Sequence, residues 1–362
     1  MATLLQDTIG QLLIIGFDGT EVSPRLVSLL KRAQPAGVIL FGRNIETPQQ
    51  TWQLLSDCRK CVDAPLFTCV DMEGGLVDRF REAMGPTPSA AEVYRTGDRQ
   101  LFHKHGQIIG ENCHALGFNV NFAPTLDLAF EASRGVMGSR SVSADPKQVA
   151  KYARGFLRGL SDAGVLSCGK HFPGLGEGRL DSHHDLPVIQ KAYRRMWQQD
   201  LVPYRALRKE LPMVMVSHAA FPALTTKPVP ASLSRRWITD VLRKAISYRG
   251  LILSDDLEMG GVLKAAPLGQ AAVEFIRAGG DLALVCHQEE RVIEAFDALN
   301  RACDTDAKFR ERAEEAAAHI ASFKKKWARQ LRSAKAPSVK RITELTRKLW
   351  EFGEQMRFES IA

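Results

Sequence analysis

The segment of residues 170–187, KHFPGLGEGRLDSHHDLP, combines charged and titratable side chains with three glycines at alternate positions. Such a polar, glycine-rich stretch is typical of an exposed loop, because backbone groups outside secondary structure need water as a partner. The segment follows an apolar run that ends at Cys168, and this run predicts a buried strand before it. The sequence therefore predicts a functional loop at a strand end.

Three kinds of chemistry compete for this loop. The G-x-G-x-G spacing hints at a phosphate cradle, but polar, non-periodic residues follow the last glycine where a dinucleotide site needs a helix. Acid/base chemistry would use His183, with the Asp181 carboxylate two residues earlier to stabilise the protonated imidazole. A metal site is the third interpretation, although no H-x-x-x-H or C-x-x-C pair frames its candidate ligands, His171, His183, His184 and Asp185.

Eight short apolar runs recur along the chain, each bounded by turn or polar residues. Runs of this length with near-continuous Val, Ile and Leu are typical of strands that are buried on both faces. We expect strands at residues 12–17, 37–41, 66–70, 118–122, 165–168, 213–216, 251–253 and 282–285.

Segments with helical periodicity separate these runs, and several begin with a capping residue before proline, as at Thr47 and Asp145. They cover residues 24–32, 48–61, 100–116, 146–162, 191–210, 235–247, 269–278 and 289–302. Eight strands alternating with eight helices predict an α/β fold, a (β/α)8 TIM-type barrel over residues 1–303. A doubly wound open sheet is the alternative, but no dinucleotide fingerprint follows the first strand.

The composition changes after residue 303 to helical segments rich in Ala, Glu, Lys and Arg. We expect helices at residues 307–330 and 338–356, and we interpret residues 304–362 as a basic helical extension packed on the barrel. Residues 301–362 carry 15 Lys and Arg against 9 Asp and Glu, within a chain of formal net charge +8. Such an excess on helices is more often a solvated face than a nucleic-acid site, so we expect no nucleic-acid partner.

Targeting and redox features favour the cytoplasm. The chain starts without a basic n-region, and its first apolar run is too short for a signal peptide. No stretch approaches the length that spans a bilayer, so we expect no membrane association. The seven cysteines are an odd number without framework spacing, which favours a reducing compartment. We therefore expect a cytoplasmic protein, and separately we expect a monomer.

Acids and histidines collect after the predicted strands. In a (β/α)8 barrel the functional groups lie at the carboxyl ends of the strands, where these residues would meet. Chance would scatter them over both ends. The groups that follow strands three to eight are Asp71 and Glu73, then Asp127, Lys170 and His171, Ser217 and His218, Asp255 and Asp256, and His287. We interpret His218 and His287 as pocket-wall residues, and Asp127 stays open.

With these motifs in place, the chain resembles glycoside hydrolase family 3, and within it the single-domain bacterial β-N-acetylglucosaminidases. The similarity covers about residues 8 to 290. It rests on KHFPGLG followed by DSH within residues 170–183, on DMEGGLVDRF at 71–80, on MGSRS at 137–141 and on SDDLEM at 254–259. Met72, Leu76 and Leu175 depart from the residues common at those positions, but they leave the reactive groups intact.

The resemblance implies a retaining glycosidase in which Asp255 is the nucleophile, His183 the general acid/base and Asp181 the partner of His183. Retention needs one group to attack the anomeric carbon and one to protonate the leaving oxygen, so the residue types agree with the reaction. Charged side chains also give directional hydrogen bonds to a hydroxyl-rich ligand. The sugar-binding residues that the resemblance implies are Asp71, Arg79, Arg140, Lys170 and His171.

The resemblance further implies an exo-β-N-acetylglucosaminidase without metal or cofactor. Its substrates would be small carbohydrates, peptidoglycan-derived anhydromuropeptides that lose their terminal N-acetylglucosamine during peptidoglycan recycling. A β-glucosidase and a glycoside phosphorylase are alternatives within the family, the latter because a neutral histidine tolerates phosphate as the attacking group. A non-catalytic sugar-binding barrel is a further alternative, but a binding protein would have no need to keep Asp255, Asp181 and His183.

Overall fold

The computed structural model of the chain describes residues 8–178, 186–225 and 227–359. Ten strands occur in this part of the chain, and eight of them form a closed, all-parallel barrel while β4 and β5 form an antiparallel hairpin. The strands are Leu13–Ile15 (β1), Gly37–Leu40 (β2), Phe67–Val70 (β3), Met72–Gly74 (β4), Val77–Asp78 (β5), Val120–Asn121 (β6), Leu166–Phe172 (β7), Met213–Val216 (β8), Leu251–Asp256 (β9) and Leu282–Val285 (β10).

Helices surround the barrel and occupy most of the chain between the strands. Residues Arg236–Ala245 form a π-helix, and short 3-10 turns lie at Gly42–Asn44, Glu131–Ser133, Gly138–Arg140 and Ala231–Leu233. The α-helices of the described residues are Pro24–Ala33 (α1), Pro48–Lys60 (α2), Arg81–Met84 (α3), Ala90–Arg95 (α4), Arg99–Ala115 (α5), Arg134–Met137 (α6), Pro146–Asp162 (α7), Tyr193–Gln198 (α8), Val202–Leu207 (α9), Gly260–Leu263 (α10), Leu268–Arg277 (α11), Glu289–Thr305 (α12), Ala307–Lys326 (α13) and Val339–Glu359 (α14).

The barrel closes in the order β1, β10, β9, β8, β7, β6, β3, β2, so strands next to each other along the chain are also neighbours in space. Every residue of β1, β2, β3, β8 and β10 is buried, because side chains fill the barrel on one face and helices cover the other. Side-chain caps start several helices, including Thr47 at α2 and Asp145 at α7. The predicted (β/α)8 barrel is confirmed.

Two strands continue further than the sequence predicts. β7 extends through Lys170 and His171 to Phe172, where its pairing with β8 resumes opposite Val216 after an irregularity. β9 likewise extends through Asp255 and Asp256 instead of ending before them. The polar residues end the apolar runs, but they do not end the strands, because neighbouring strands still pair their backbones and charged neighbours satisfy their side chains.

Two predicted helices also differ. The helix expected at residues 191–210 is divided into α8 and α9 by residues 199–201. Pro203 explains the break, since it lacks an amide hydrogen and fits the first turn of a new helix rather than the interior of an old one. The helix expected at residues 235–247 is present, but over Arg236–Ala245 it has π-type hydrogen bonding.

The helices α13 and α14 pack against the barrel and its outer helices. Phe323 of α13 meets Phe67 of β3 edge to face, and Lys324 donates to Gln11 near the amino-terminal end of β1 (2.8 Å). The predicted domain boundary between residues 303 and 304 falls within the last turn of α12, which ends at Thr305, and it stays a prediction. No helix in the described part of the chain is long and apolar enough to cross a membrane.

His105 on α5 gives the fold a measurable acid sensitivity. Its imidazole is fully buried and bonded to the Tyr152 hydroxyl (2.8 Å), and burial lowers the pKa of His105 to about 4. Between pH 6.5 and 4 the unfolded chain therefore binds a proton that the folded chain does not, so stability falls on acidification. We expect this one group to remove about 3 kcal/mol of unfolding free energy over that range.

Urea denaturation at pH 7, 5.5 and 4.5 measures this effect as the pH dependence of the unfolding free energy. A His105→Gln variant should be less stable at pH 7, but its stability should fall less steeply with acidification than that of the wild type. Arg99→Gln at the exposed start of the same helix is the control, and it should keep the wild-type slope. Equal slopes for His105→Gln and the wild type would contradict this account.

Candidate active site

A cluster of four buried or partly buried charges lies at the carboxyl ends of the barrel strands. Glu73 on β4 receives two hydrogen bonds from the Arg140 guanidinium, at 2.9 and 2.8 Å. The Lys170 ammonium on β7 lies between two carboxylates, 2.6 Å from Asp71 Oδ1 and 2.8 Å from Glu73 Oε1. Thr125 donates a further hydrogen bond to Glu73 (3.0 Å). Two cations and two anions thus neutralise each other.

The charges in this cluster fix each other's protonation states. Burial raises the pKa of Glu73, but Arg140 and Lys170 outweigh it and hold that pKa well below its ordinary value. Burial lowers the pKa of Lys170, yet Asp71 and Glu73 raise it above the ordinary value. Both groups are therefore charged across the physiological pH range. The sequence motif DMEGG placed Glu73 next to the site, but it was not assigned a role, and only the structure shows that it holds two predicted sugar ligands.

His171 is held by Asp127, the residue whose role the sequence left open. Asp127 accepts hydrogen bonds from His171 Nδ1 (2.7 Å) and from the Leu175 amide (2.6 Å). The other ring nitrogen, Nε2, lies 3.4 Å from the Arg140 guanidinium, which can only donate. This arrangement places the imidazole proton on Nδ1. Asp127 therefore orients His171 and anchors the start of the following loop at the same time.

Asp255 lies at the end of β9 and accepts the amide of Asp256 at 2.9 Å. Burial raises the pKa of Asp255, but interactions with His171, His218, the Asp256 amide and the Lys170 ammonium together lower it below its ordinary value. The carboxylate is therefore ionised at neutral pH, as a nucleophile requires.

Asp256 is engaged in different contacts. Its carboxylate accepts the amides of Glu258 (3.0 Å) and Cys286 (3.2 Å) and lies 3.1 Å from His287 Nε2. The hydrogen bond to Asp256 raises the pKa of His287. These contacts tie together the loops that follow β9 and β10. They give Asp256 a structural role.

His218 follows β8 and forms part of the pocket wall. Its Nε2 lies 2.8 Å from the Asp256 carbonyl, and its Nδ1 lies 2.8 Å from the Ser232 hydroxyl. The carbonyl can only accept, so Nε2 carries the proton and Nδ1 accepts from Ser232. Burial lowers the pKa of His218, which keeps the ring neutral. A neutral imidazole with both nitrogens occupied suits a structural position rather than proton transfer.

A cavity of about 450 Å³ opens beside these groups, a size within the usual range of small-molecule sites. Asp71, Arg79 and Asp255 line it together with His287 and the Phe41 ring. The Arg79 guanidinium lies over that ring at 5.6 Å from its centroid. Apolar and charged surfaces thus face each other, as a sugar with polar edges and an apolar face requires.

Six of the eight predicted site residues therefore lie around the barrel mouth. Asp71, Arg79 and Asp255 line the cavity, and the charged cluster beside it contains Arg140, Lys170 and His171. The other two, Asp181 and His183, lie outside the described residues, as do His184 and Asp185.

The prediction that the glycine-rich segment is an exposed loop is wrong for its first part. Residues 170–172 belong to β7, and residues 173–176 are buried. The Asp127 carboxylate satisfies the Leu175 amide, so the backbone does not need water. A Cβ on Gly174 would lie 2.9 Å from the Asp200 side chain, and one on Gly176 would lie 2.7 Å from the Leu128 carbonyl. These glycines allow close packing.

An ion pair also holds the same segment at Glu177. The buried Lys191 ammonium lies 2.7 Å from Asp200 and 3.0 Å from Glu177, and over the Phe130 ring at 4.7 Å. Two carboxylates and an aromatic face thus balance one buried cation. The end of the glycine-rich segment at Glu177 is therefore held to the barrel by these contacts.

Within residues 8–178, 186–225 and 227–359, no three His, Cys, Asp or Glu side chains converge to hold a metal ion.

The sequence matches a known family over most of its length. The family model described as the glycosyl hydrolase family 3 N-terminal domain matches residues 4–323. A beta-hexosaminidase of Alkalilimnicola ehrlichii is 38% identical over 287 residues, which cover 77% of this chain and 82% of the relative. A beta-hexosaminidase of Idiomarina loihiensis is 34% identical over 290 residues, which cover 79% and 87%.

Solved structures have the same architecture. A glycoside hydrolase family 3 beta-N-acetylglucosaminidase from Paenibacillus sp. str. FPU-7 superimposes with a TM-score of 0.87 at 33% identity, covering 96% of this chain and 68% of that one. NagZ from Neisseria gonorrhoeae, solved in complex with N-trifluoroacetyl-D-glucosamine, superimposes with a TM-score of 0.72 at 27% identity, covering 85% and 97%.

The charged cluster predicts a specific weakness at Glu73. A Glu73→Gln substitution keeps the shape but leaves the Arg140 and Lys170 charges with one carboxylate fewer. Because breaking a buried ion pair leaves an uncompensated charge, we expect the unfolding free energy to fall by about 3–5 kcal/mol. Denaturant unfolding measures this loss. Glu82→Gln on the exposed face of α3 is the control and should cost almost nothing. A Glu73→Gln variant as stable as that control would contradict the assigned role.

Proposed function

The chain belongs to glycosyl hydrolase family 3, as its motifs predicted, and we propose that it is a retaining exo-β-N-acetylglucosaminidase of peptidoglycan recycling. The protein is a glycoside hydrolase of the β-N-acetylhexosaminidase type. The proposed substrates are peptidoglycan-derived anhydromuropeptides, from which it would remove the terminal N-acetylglucosamine. The proposed setting is the cytoplasm, where the enzyme would act as a monomer on small carbohydrate fragments without metal or cofactor.

The observation that carries this proposal is the ionised Asp255 carboxylate on a cavity wall shared with Asp71 and Arg79. The charged cluster beside it offers a sugar both carboxylate acceptors and cationic donors. Hydroxyl groups donate and accept hydrogen bonds, so a site with fixed groups of both kinds orients a monosaccharide well. For attack on the anomeric carbon, the sugar would lie with its first carbon facing Asp255.

The reaction would proceed in two steps. An Asp255 oxygen attacks the anomeric carbon and forms an ester bond, while the bond to the leaving oxygen breaks and that oxygen takes a proton from His183. His183 then removes a proton from water, the resulting hydroxide attacks the anomeric carbon, and the Asp255 carboxylate is released. Asp181 would stabilise the protonated imidazole. The roles of His183 and Asp181 come from the family resemblance.

One assay tests the proposed function against its alternatives. Nitrophenol release is measured from the β-N-acetylglucosaminide and from the β-glucoside, each with and without inorganic phosphate. We expect hydrolysis of the N-acetylglucosaminide that phosphate does not accelerate. Faster turnover of the glucoside would identify a glucosidase, and a sugar phosphate product would identify a phosphorylase. Release of N-acetylglucosamine from purified anhydromuropeptides, followed by liquid chromatography, tests the proposed substrate class.

The nucleophile assignment predicts opposite results at two adjacent positions. Asp255→Asn should lower kcat by several orders of magnitude, because an amide cannot form the glycosyl ester. Asp256→Asn keeps an acceptor for the amides that Asp256 binds, so its activity should stay within about tenfold of the wild type. Steady-state kinetics and thermal unfolding of both variants check the outcome. An active Asp255→Asn together with an inactive Asp256→Asn would overturn the assignment.

The acid/base assignment predicts that the effect of His183→Ala depends on the leaving group. An aryl group of low basicity leaves without much protonation, so glycosylation should survive better with it than with a natural sugar. Deglycosylation should then limit turnover, and the glycosyl-enzyme should accumulate as a mass increase of the intact protein. Asp181→Ala keeps the imidazole and should show a milder loss of the same kind. Equal fractional losses for good and poor leaving groups in His183→Ala would show that another residue is the acid.

A further inference from the structure

The β4–β5 hairpin brings Glu73 into the charged cluster, so its position decides where the two cations of that cluster lie. The hairpin rests on residues 86–89. The Gly75 amide donates to the Thr87 carbonyl (2.9 Å), and the Asp78 carboxylate of β5 accepts the Thr87 amide (2.8 Å). One hydrogen bond in each direction thus joins the hairpin to this segment.

The hairpin and residues 86–89 pack tightly against each other. Gly74 and Gly75 both have positive φ angles, 84° and 59°, which favour glycine. A Cβ on Gly74 would overlap the Pro88 carbonyl oxygen, and a Cβ on Gly75 would overlap the Ser89 side chain. Gly74 therefore lies directly on the Pro88 backbone, and Gly75 lies on the short Ser89 side chain. A shift of residues 86–89 would be transmitted to the hairpin, because no long, flexible side chain lies between them.

The far side of residues 86–89 faces α5 and α14. The buried His105 ring of α5 stacks on Phe352 of α14, with 5.8 Å between ring centroids and 29° between ring planes. The Tyr152 hydroxyl bonds to Nδ1 of the imidazole. The Pro88 carbonyl lies near the same ring, although Nε2 has no hydrogen-bond partner among the described residues. His105 thus lies between Phe352 of α14 and the backbone of Pro88.

A cavity of about 400 Å³ separates α14 from residues 84–88 beside this line. Leu349, Gly353 and Met356 line it on the helix side. A Cβ on Gly353 would meet no atom within 4 Å. Because the space beside Gly353 is open, the stacked pair of Phe352 and His105 provides much of the support that α14 gives residues 86–89.

We propose that Phe352 and His105 are positioning residues, through which helix α14 fixes residues 86–89 and hence the hairpin that carries Glu73. The helix lies outside the barrel. It also packs on α3, whose Arg81 donates to the Gly75 carbonyl of the hairpin (2.9 Å), so the His105 contacts act beside this second connection. The claim that this affects sugar binding rests on the proposed function. The claim that it fixes the hairpin does not.

Phe352→Ala tests the proposal against Leu345→Ala, a truncation of another buried residue on the same face of α14 that does not line the cavity. Both variants should lower the thermal unfolding temperature. Only Phe352→Ala should raise KM for the aryl N-acetylglucosaminide, by about tenfold with kcat little changed, since a mispositioned cluster weakens sugar binding. Phe352→Leu, which restores most of the apolar volume, should recover part of the loss.

Hydrogen exchange gives a readout that needs no activity. In Phe352→Ala the amides of residues 72–78, including Gly75, should exchange about tenfold faster than in the wild type. In Leu345→Ala they should exchange at the wild-type rate after correction for global stability. This comparison separates a local effect on the hairpin from a general loss of stability.

A substitution that fills the cavity beside α14 should have the opposite effect to Phe352→Ala. Gly353→Met should fill the cavity, slow hairpin exchange and raise the unfolding temperature. Gly353→Ala is the matched control, because it gives the gain in helix propensity without filling the space. We expect slower hairpin exchange for methionine than for alanine.

The outcomes are distinguishable from a failure of the proposed function. A wild-type protein that does not hydrolyse N-acetylglucosaminides would remove the proposed function, while faster hairpin exchange in Phe352→Ala would still support the positioning role. Hairpin exchange and KM that respond equally to Phe352→Ala and Leu345→Ala would overturn the positioning role and leave the function intact.

Discussion

Two carboxylates and two cations meet at the carboxyl end of the barrel, and their mutual neutralisation decides how the surrounding chain can be arranged. Glu73 comes from a hairpin after β3, Arg140 from a turn after β6 and Lys170 from β7. Each of these charges would be costly to bury alone, since an unpaired ion in a protein interior loses its hydration. The cluster therefore joins three separate segments, and the cavity beside it takes its shape from their meeting point.

The same constraint distinguishes two adjacent aspartates. Asp256 uses its oxygens to hold the amides of Glu258 and Cys286, so its position serves the loops around it. Asp255 accepts the Asp256 amide and lines the cavity, where its surroundings keep it ionised. An electrostatic environment built from buried ion pairs can thus keep a neighbouring carboxylate ionised on a cavity wall.

The sequence predicted the barrel well because its strands are nearly continuous apolar runs, a pattern that depends little on tertiary context. It predicted strand ends less well. Lys170 and His171 looked like loop residues, but they lie in β7, because Asp71, Glu73 and Asp127 satisfy their side chains and these partners are distant in the chain. Composition alone cannot reveal such pairings.

The residue types of the site could be predicted from the sequence, but the hydrogen bonds between those residues could not. Motifs placed Asp71, Arg140 and Asp255 together, whereas the roles of Glu73 and Asp127 depend on hydrogen bonds between segments far apart in sequence. The π-type bonding of residues Arg236–Ala245 had no signal in the helical periodicity that predicted them. Local patterns report local structure, and these features are set by packing.

The stacking of Phe352 on His105 has a consequence for synthesis on the ribosome. Roughly 250 residues separate the two rings along the chain, so α14 is made only after all ten strands. At ordinary translation rates His105 would wait for its partner on the order of tens of seconds. During that interval the barrel can assemble, but the hairpin beside its mouth lacks part of its support. The nascent protein would thus acquire its barrel before the charged cluster takes its final position.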